Sequence, residues 1–145
     1  MNRRDFQQLA LVRLAEAKVL LGVKLWDGSY YLAGYSIECG LKACISRGTS
    51  KFDFPDKRLA DASYTHNLKN LVKAANLDIA LGEEVSANAA FRANWDVVQQ
   101  WSEHSRNNRY ESSTAIALVN AVGDVKQGVL PWIKRRCNHR YSNRQ

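Results

Sequence analysis

One stretch constrains the fold more than any other. Ser29–Ser46 reads Ser-Tyr-Tyr-Leu-Ala-Gly-Tyr-Ser-Ile-Glu-Cys-Gly-Leu-Lys-Ala-Cys-Ile-Ser and is apolar on nearly every side. It is interrupted too often to span a membrane, and a helix that is apolar all round in such a chain is a buried one. Asp27-Gly28 before it is a turn, and Ser29 is the expected N-cap, its oxygen accepting a free first-turn N–H. Ser46-Arg47-Gly48 after it places a cation and a glycine where a helix ends. Its two charges, Glu38 and Lys42, stand at i,i+4 in the favourable order, and Tyr31 and Tyr35 continue that stripe toward the N-terminus. The sequence therefore predicts the central helix of an all-α domain, with one polar stripe reaching a cleft, an interface or solvent.

The remaining segments supply helices to pack around it. Asp5 to about Lys24 carries Leu9, Val12, Leu14, Ala17, Leu20 and Leu21, mostly at helical spacing, with Arg3, Arg4 and Arg13 outside the stripe. Gly48 to Thr65 reads as a long loop, with Phe52, Phe54 and Pro55 against the body. His66 to Val72 opens a short helix, in which His66 reads as a helix-start residue with local hydrogen bonds. Ser86 to Trp101 repeats an apolar stripe through Ala90, Phe91, Trp95, Val98 and Trp101. Ser112 or Ser113 caps a last helix that runs to about Arg135, with Pro131 late enough to kink or end it. The expected architecture is an all-α antiparallel bundle of four main helices plus a short helix over residues 1–134, followed by a flexible basic tail, 135–145.

With 145 residues the chain is long enough for one domain with a real core. Its net charge of +7 favours an anionic partner, nucleotide or nucleic acid. Lys134, Arg135, Arg136, Arg140 and Arg144 account for much of that excess, and a basic tail can equally be a solvated one. The three cysteines include no C-x-x-C unit, and the odd count argues against a disulfide framework. Cys39 and Cys44 read as small hydrophobes of the central helix. Cys137 and His139 make at most half of a metal site, so no metal is expected. Gln7, Gln8 and Arg13 interrupt any signal-peptide core, which leaves a cytoplasmic chain without a membrane partner as the expectation.

Three motifs, in order, resemble one family. Tyr30–Ala43 ends in Glu38-Cys39-Gly40-Leu41-Lys42-Ala43 and resembles the aromatic and small-residue second helix of HEPN (higher eukaryotes and prokaryotes nucleotide-binding) domains, with its Glu-x-x-Leu-Lys-Ala close. His66-Asn67-Leu68 resembles the family's His-x-Leu start of the next helix, and Arg109-Tyr110 its Arg-Tyr element before the last long helix. The resemblance implies a homodimer that binds nucleotide or RNA, or that partners a nucleotidyltransferase-type protein, within a toxin–antitoxin or defence system. It also implies, for some members, a metal-independent endoribonuclease with an arginine followed by four to six residues and then a histidine. That spacing is missing here: Arg58 precedes His66 with seven residues between, no arginine stands at the required distance before His104, and Arg135 and Arg136 precede His139 with three and two between. The resemblance thus carries over a binding module, without a cofactor, rather than the ribonuclease motif.

The polar cluster Glu103, His104, Arg106, Arg109 and Tyr110 is the candidate site. Arg106 and Arg109 offer cations to a phosphate, and Tyr110 and Trp101 offer rings on which a base stacks. His104 is the candidate catalytic residue of the alternative reading, a divergent ribonuclease, since metal-free RNA cleavage needs proton transfer and a cation for the phosphorane charge. The segment is expected beside the N-terminus of the last helix, where free N–H groups favour an anion. Two plainer readings compete. Arginines of an inter-helix loop commonly pair with residues such as Glu103 and Glu111, and the chain can serve as a helical dimerisation adaptor. Trp26, Trp95, Trp101 and Trp132 read as core aromatics first, and Glu38 with Lys42 as a structural pair.

Overall fold

Asn2 and Asp5 start the first helix by a reciprocal cap: the Asp5 N–H donates to the Asn2 side chain at 2.9 Å, and the Asn2 N–H to the Asp5 carboxylate at 3.0 Å. The computed structural model describes residues 1–46 and 64–143, and every regular element in them is helical. In chain order these are α1 (Arg3–Gly22), α2 (Trp26–Ser46), α3 (Leu68–Ala74), α4 (Asp78–Ala87), α5 (Ala89–Val98), a 3₁₀ turn (Glu103–Asn107), α6 (Ser112–Gly123) and α7 (Val129–Asn143). The all-α class expected from the sequence is the class observed. Most of the Gly48–Thr65 loop, including Phe52, Phe54 and Pro55, lies outside the described residues.

Helix α2 is the centre, as its apolarity demands. It packs against α1, α3, the 3₁₀ turn, α6 and α7. Ala33, Ile37, Cys39 and Leu41 are at most 1 % exposed. Lys24, in the left-handed region at φ 65°, turns the chain between α1 and α2, and the two helices pack on each other. Ser29 shows why α2 begins earlier than expected. The helix starts at Trp26, and Ser29 is buried one turn inside it, its hydroxyl donating to the Ala17 carbonyl of α1 at 2.8 Å. A polar group that deep needs such a partner.

Gly34 sets the spacing on another side of α2. A Cβ there would run into the indole of Trp101, which is 3 % exposed and also lies 6.0 Å from the Tyr31 ring. The Trp101 stack expected on a base is therefore corrected: both the ring and its edge are spent on the core.

Three other expectations change. The sequence showed no element over residues 78–85, yet α4 forms there. Leu81 is its one buried residue and Ile79 is 74 % exposed, so it carries no apolar stripe to be read. The expected last helix is two helices. Gly128 breaks it, because a Cβ there would strike the Asp124 carbonyl that accepts the Gly128 N–H at 2.9 Å. Pro131 then falls in the first turn of α7, where a missing N–H costs nothing. Much of the segment expected as a tail is helical, since α7 continues to Asn143 and Cys137 is 6 % exposed.

Cys137 is buried because it is bonded. A disulfide joins it to Cys44 across α2 and α7, with Cα atoms 5.7 Å apart, and Cys39 alone remains a free thiol. The odd count argued against a disulfide framework; three cysteines are equally one pair and one buried hydrophobe. The bridge closes a loop over a sequence separation of 93 residues, a long loop whose closure removes much unfolded-state entropy.

Two outcomes follow. Cys44→Ser or a strong reductant should lower the unfolding free energy by about 2–4 kcal/mol in denaturant titrations. Gly34→Ala should cost at least about 1–3 kcal/mol, since the rigid indole cannot move away without opening the core.

Candidate functional site

A single glutamate on an apolar helix sets the chemistry. Glu38 is 1 % exposed, so its carboxylate must be partnered. Lys42 satisfies part of it from one turn on, with Nζ 3.1 Å from Oε2. The second partner comes from 28 residues away. His66 places Nδ1 3.0 Å from both Glu38 oxygens.

The local sequence explains how His66 is aimed. Asn67 caps α3, its side chain accepting the Asn70 N–H at 3.1 Å, and the Asn67 N–H donates to the Thr65 hydroxyl at 3.1 Å. The backbone on either side of His66 is thereby fixed. Leu68 and Leu71 bury the first turn of α3 beside α2. The imidazole, expected to bond locally, instead spans the gap to Glu38 and keeps 45 % of its side-chain surface open.

The outer ring nitrogen meets a second carboxylate. His66 Nε2 lies 3.3 Å from Glu103 Oε2, and the Glu103 side chain is 40 % exposed. With both nitrogens protonated, the ring bridges a buried and an exposed carboxylate. When Nε2 lacks its proton, that contact turns repulsive and Nε2 is left to solvent or to a ligand. Glu103 begins the 3₁₀ turn, in which side chains three apart eclipse one another. Arg106 thus shares the face of Glu103, while Ser105 points inward at 3 % exposure and His104 lies on a different, exposed face. Ser102 and Ser105 lock the turn, the Ser102 N–H donating to the Ser105 hydroxyl at 3.2 Å.

The other expected residues are placed as follows. Arg106 makes no ion pair with any described residue. Arg109 is 96 % exposed, with Nε 3.8 Å from an Asp27 oxygen, a contact worth little in solvent. The Tyr110 N–H donates to the other Asp27 oxygen at 2.6 Å, and its ring stacks on Tyr30 with centroids 3.9 Å apart. One face of Tyr110 is therefore already taken. His104 has no hydrogen-bond partner among the described residues, so nothing orients it as His66 is oriented. Among the described residues no group of His, Cys, Asp and Glu is disposed to hold a metal ion.

Tyr35 and Cys39 back the Glu38 carboxylate. Burial, with the charge of Glu38 and their mutual contact, pushes the Tyr35 hydroxyl up to about 12. Burial, then Glu38, pushes the Cys39 thiol up to about 11, so it is an inert filler rather than a nucleophile.

The signal for His66 was present in the sequence. A glutamate on an otherwise apolar helix has more acceptor sites than one lysine fills, so a second donor was owed.

Comparison of the chain with protein-family models, with curated proteins and with solved structures finds no match.

Glu38→Ala leaves Lys42 and His66 without their shared carboxylate and should cost about 3 kcal/mol, the low end for a broken buried pair because His66 is half open to water. Cys39 adds a pH dependence. Burial and Glu38 raise its thiol from the ordinary 9.0 to about 11, so the folded state holds the proton more tightly. Stability should fall as pH rises from about 9 to about 11, and Cys39→Ala should flatten that part of the profile.

Proposed function

We propose that the chain is a HEPN-like module that binds the phosphate of a nucleotide or of single-stranded RNA at the face shared by His66, Glu103 and Arg106. The observation that carries this reading is the imidazole held at Nδ1 by a buried carboxylate while Nε2 faces outward beside an exposed carboxylate. An incoming phosphate takes the place of Glu103, accepts from His66 Nε2–H and gains Arg106 on the same face. Lys42 stays with Glu38 and keeps the inner charge balanced. The net charge of +7 draws such an anion in. The exposed face of Tyr110 and the open Arg109 lie along the same connection and serve the base and a further phosphate.

The proposed module acts in the cytoplasm as a homodimer, and a nucleotidyltransferase-type protein in a toxin–antitoxin or defence pair is its proposed partner. Leu11, Val12 and Val19 of α1, with Val23 just past its end, are 44–67 % exposed and give a second copy an apolar strip to cover.

A second reading is metal-independent RNA cleavage. One observation favours it: a carboxylate-oriented imidazole suits proton transfer to or from a 2′-hydroxyl better than the unsupported His104.

The test is binding of AMP, ADP and a labelled single-stranded RNA to the wild type and to His66→Ala, Arg106→Ala and His104→Ala. His66→Ala and Arg106→Ala should each weaken binding by about 1–3 kcal/mol, the scale of a charge-assisted hydrogen bond, with a shallower salt dependence, and His104→Ala by less. Equal affinities across the four proteins would remove this face from the reading. RNA cleavage that is lost in His66→Ala and kept in His104→Ala would establish the second reading.

A further inference from the structure

The far end of α2 carries a different chemistry. Beside the Cys44–Cys137 disulfide lies a cleft of about 350 Å³, and both cysteines line it. That is the volume of a small-ligand site. Its polar lining is Arg3 and Gln7 from α1 with Lys134 and Asn138 from α7, and no acidic side chain among the described residues lines it. A disulfide wall, two cations and two carboxamide or amide-type side chains fit one class of ligand: a small peptide thiol bearing carboxylates. We propose that this cleft is a thiol–disulfide exchange site for such an anionic thiol.

The two sulfurs are not equivalent. Cys44 lies in the last turn of α2, where the helix carbonyls disfavour a thiolate. Cys137 lies one turn beyond Lys134 on α7, where a cation favours it. The sulfur beside the cation is the better leaving group, so the incoming thiolate attacks Cys44 Sγ. A bond forms between the ligand sulfur and Cys44, the Cys44–Cys137 bond breaks, and its electron pair leaves on Cys137, which takes up a proton. A second equivalent of the same thiol then attacks the mixed disulfide at the ligand sulfur. The protein is left as a dithiol, reduced by two electrons, and two thiols are oxidised to one small-molecule disulfide.

Reduced glutathione and its diethyl ester serve as probes, since they present the same sulfur with and without carboxylate charge. Exchange is followed on the folded, oxidised protein by acid quench and intact mass, and the modified cysteine by peptide mapping. Glutathione should react about 10-fold faster than the ester, the low end of electrostatic enhancement at a charged cleft. The difference should vanish in Arg3→Gln/Lys134→Gln, in which both thiols should react at one common rate, slower than the wild type with glutathione, while a far-UV circular dichroism spectrum and unfolding midpoint like those of the wild type report an intact fold. The first mixed disulfide should map to Cys44. Equal rates for the two thiols in the wild type, exchange no faster than global unfolding, or a first adduct on Cys137 would each overturn the proposal.

Discussion

A carboxylate with almost no access to water sits on the most apolar helix of the chain. Glu38 is worth its place only if its charge is fully shared, and the sharing dictates much else. Lys42 must stay one turn away on the same face, which fixes the polar stripe of α2. His66 must arrive from a distant segment, which fixes where α3 begins. Glu103 must face the outer nitrogen, which positions the 3₁₀ turn and with it Arg106. One buried charge thus ties three segments that are far apart in sequence into a single surface feature.

The same requirement decides what was legible in the sequence. The all-α class and the central place of α2 follow from apolarity alone, and so does the Glu38–Lys42 pair, because i,i+4 spacing is local. The cluster after Trp101 was legible as a polar connection, and its composition pointed to anions. What escaped was long-range or compensated. Nothing near His66 names Glu38 as its partner, so the histidine looked like a piece of helix-start chemistry. Trp101 looked available for stacking until Gly34 drew it into the core. α4 has one buried side chain and no stripe. Pro131 looked like a helix breaker, whereas the break is made by Gly128 three residues earlier. The disulfide was hidden because the odd count of three was read against a disulfide framework, whereas it divides into one bridge and one buried thiol.

The two ends of α2 are organised on different principles. In the Glu38 region a buried and an exposed carboxylate share one imidazole. The Cys44 region is a covalent staple that holds the last turn of α2 to α7 beside cations. Disulfides are rare in reducing compartments unless they have a redox role. A bridge that small thiols reach is compatible with such a compartment, whereas a sealed structural bridge points to an oxidising one. The staple lies less than two helical turns from Glu38, about 9 Å along the axis, so opening it bears on the end of the helix that carries the polar stripe.

On the proposed function, His66 rather than His104 is the histidine that meets the ligand. Side-chain ¹H–¹⁵N correlation spectra separate the imidazoles directly during titration with a short single-stranded RNA or ADP. The His66 Nε2 resonance should move most and Nδ1, held by Glu38, should move little, with His104 shifting less than His66. A His66 spectrum unchanged at saturating ligand, with His104 carrying the response, would contradict it.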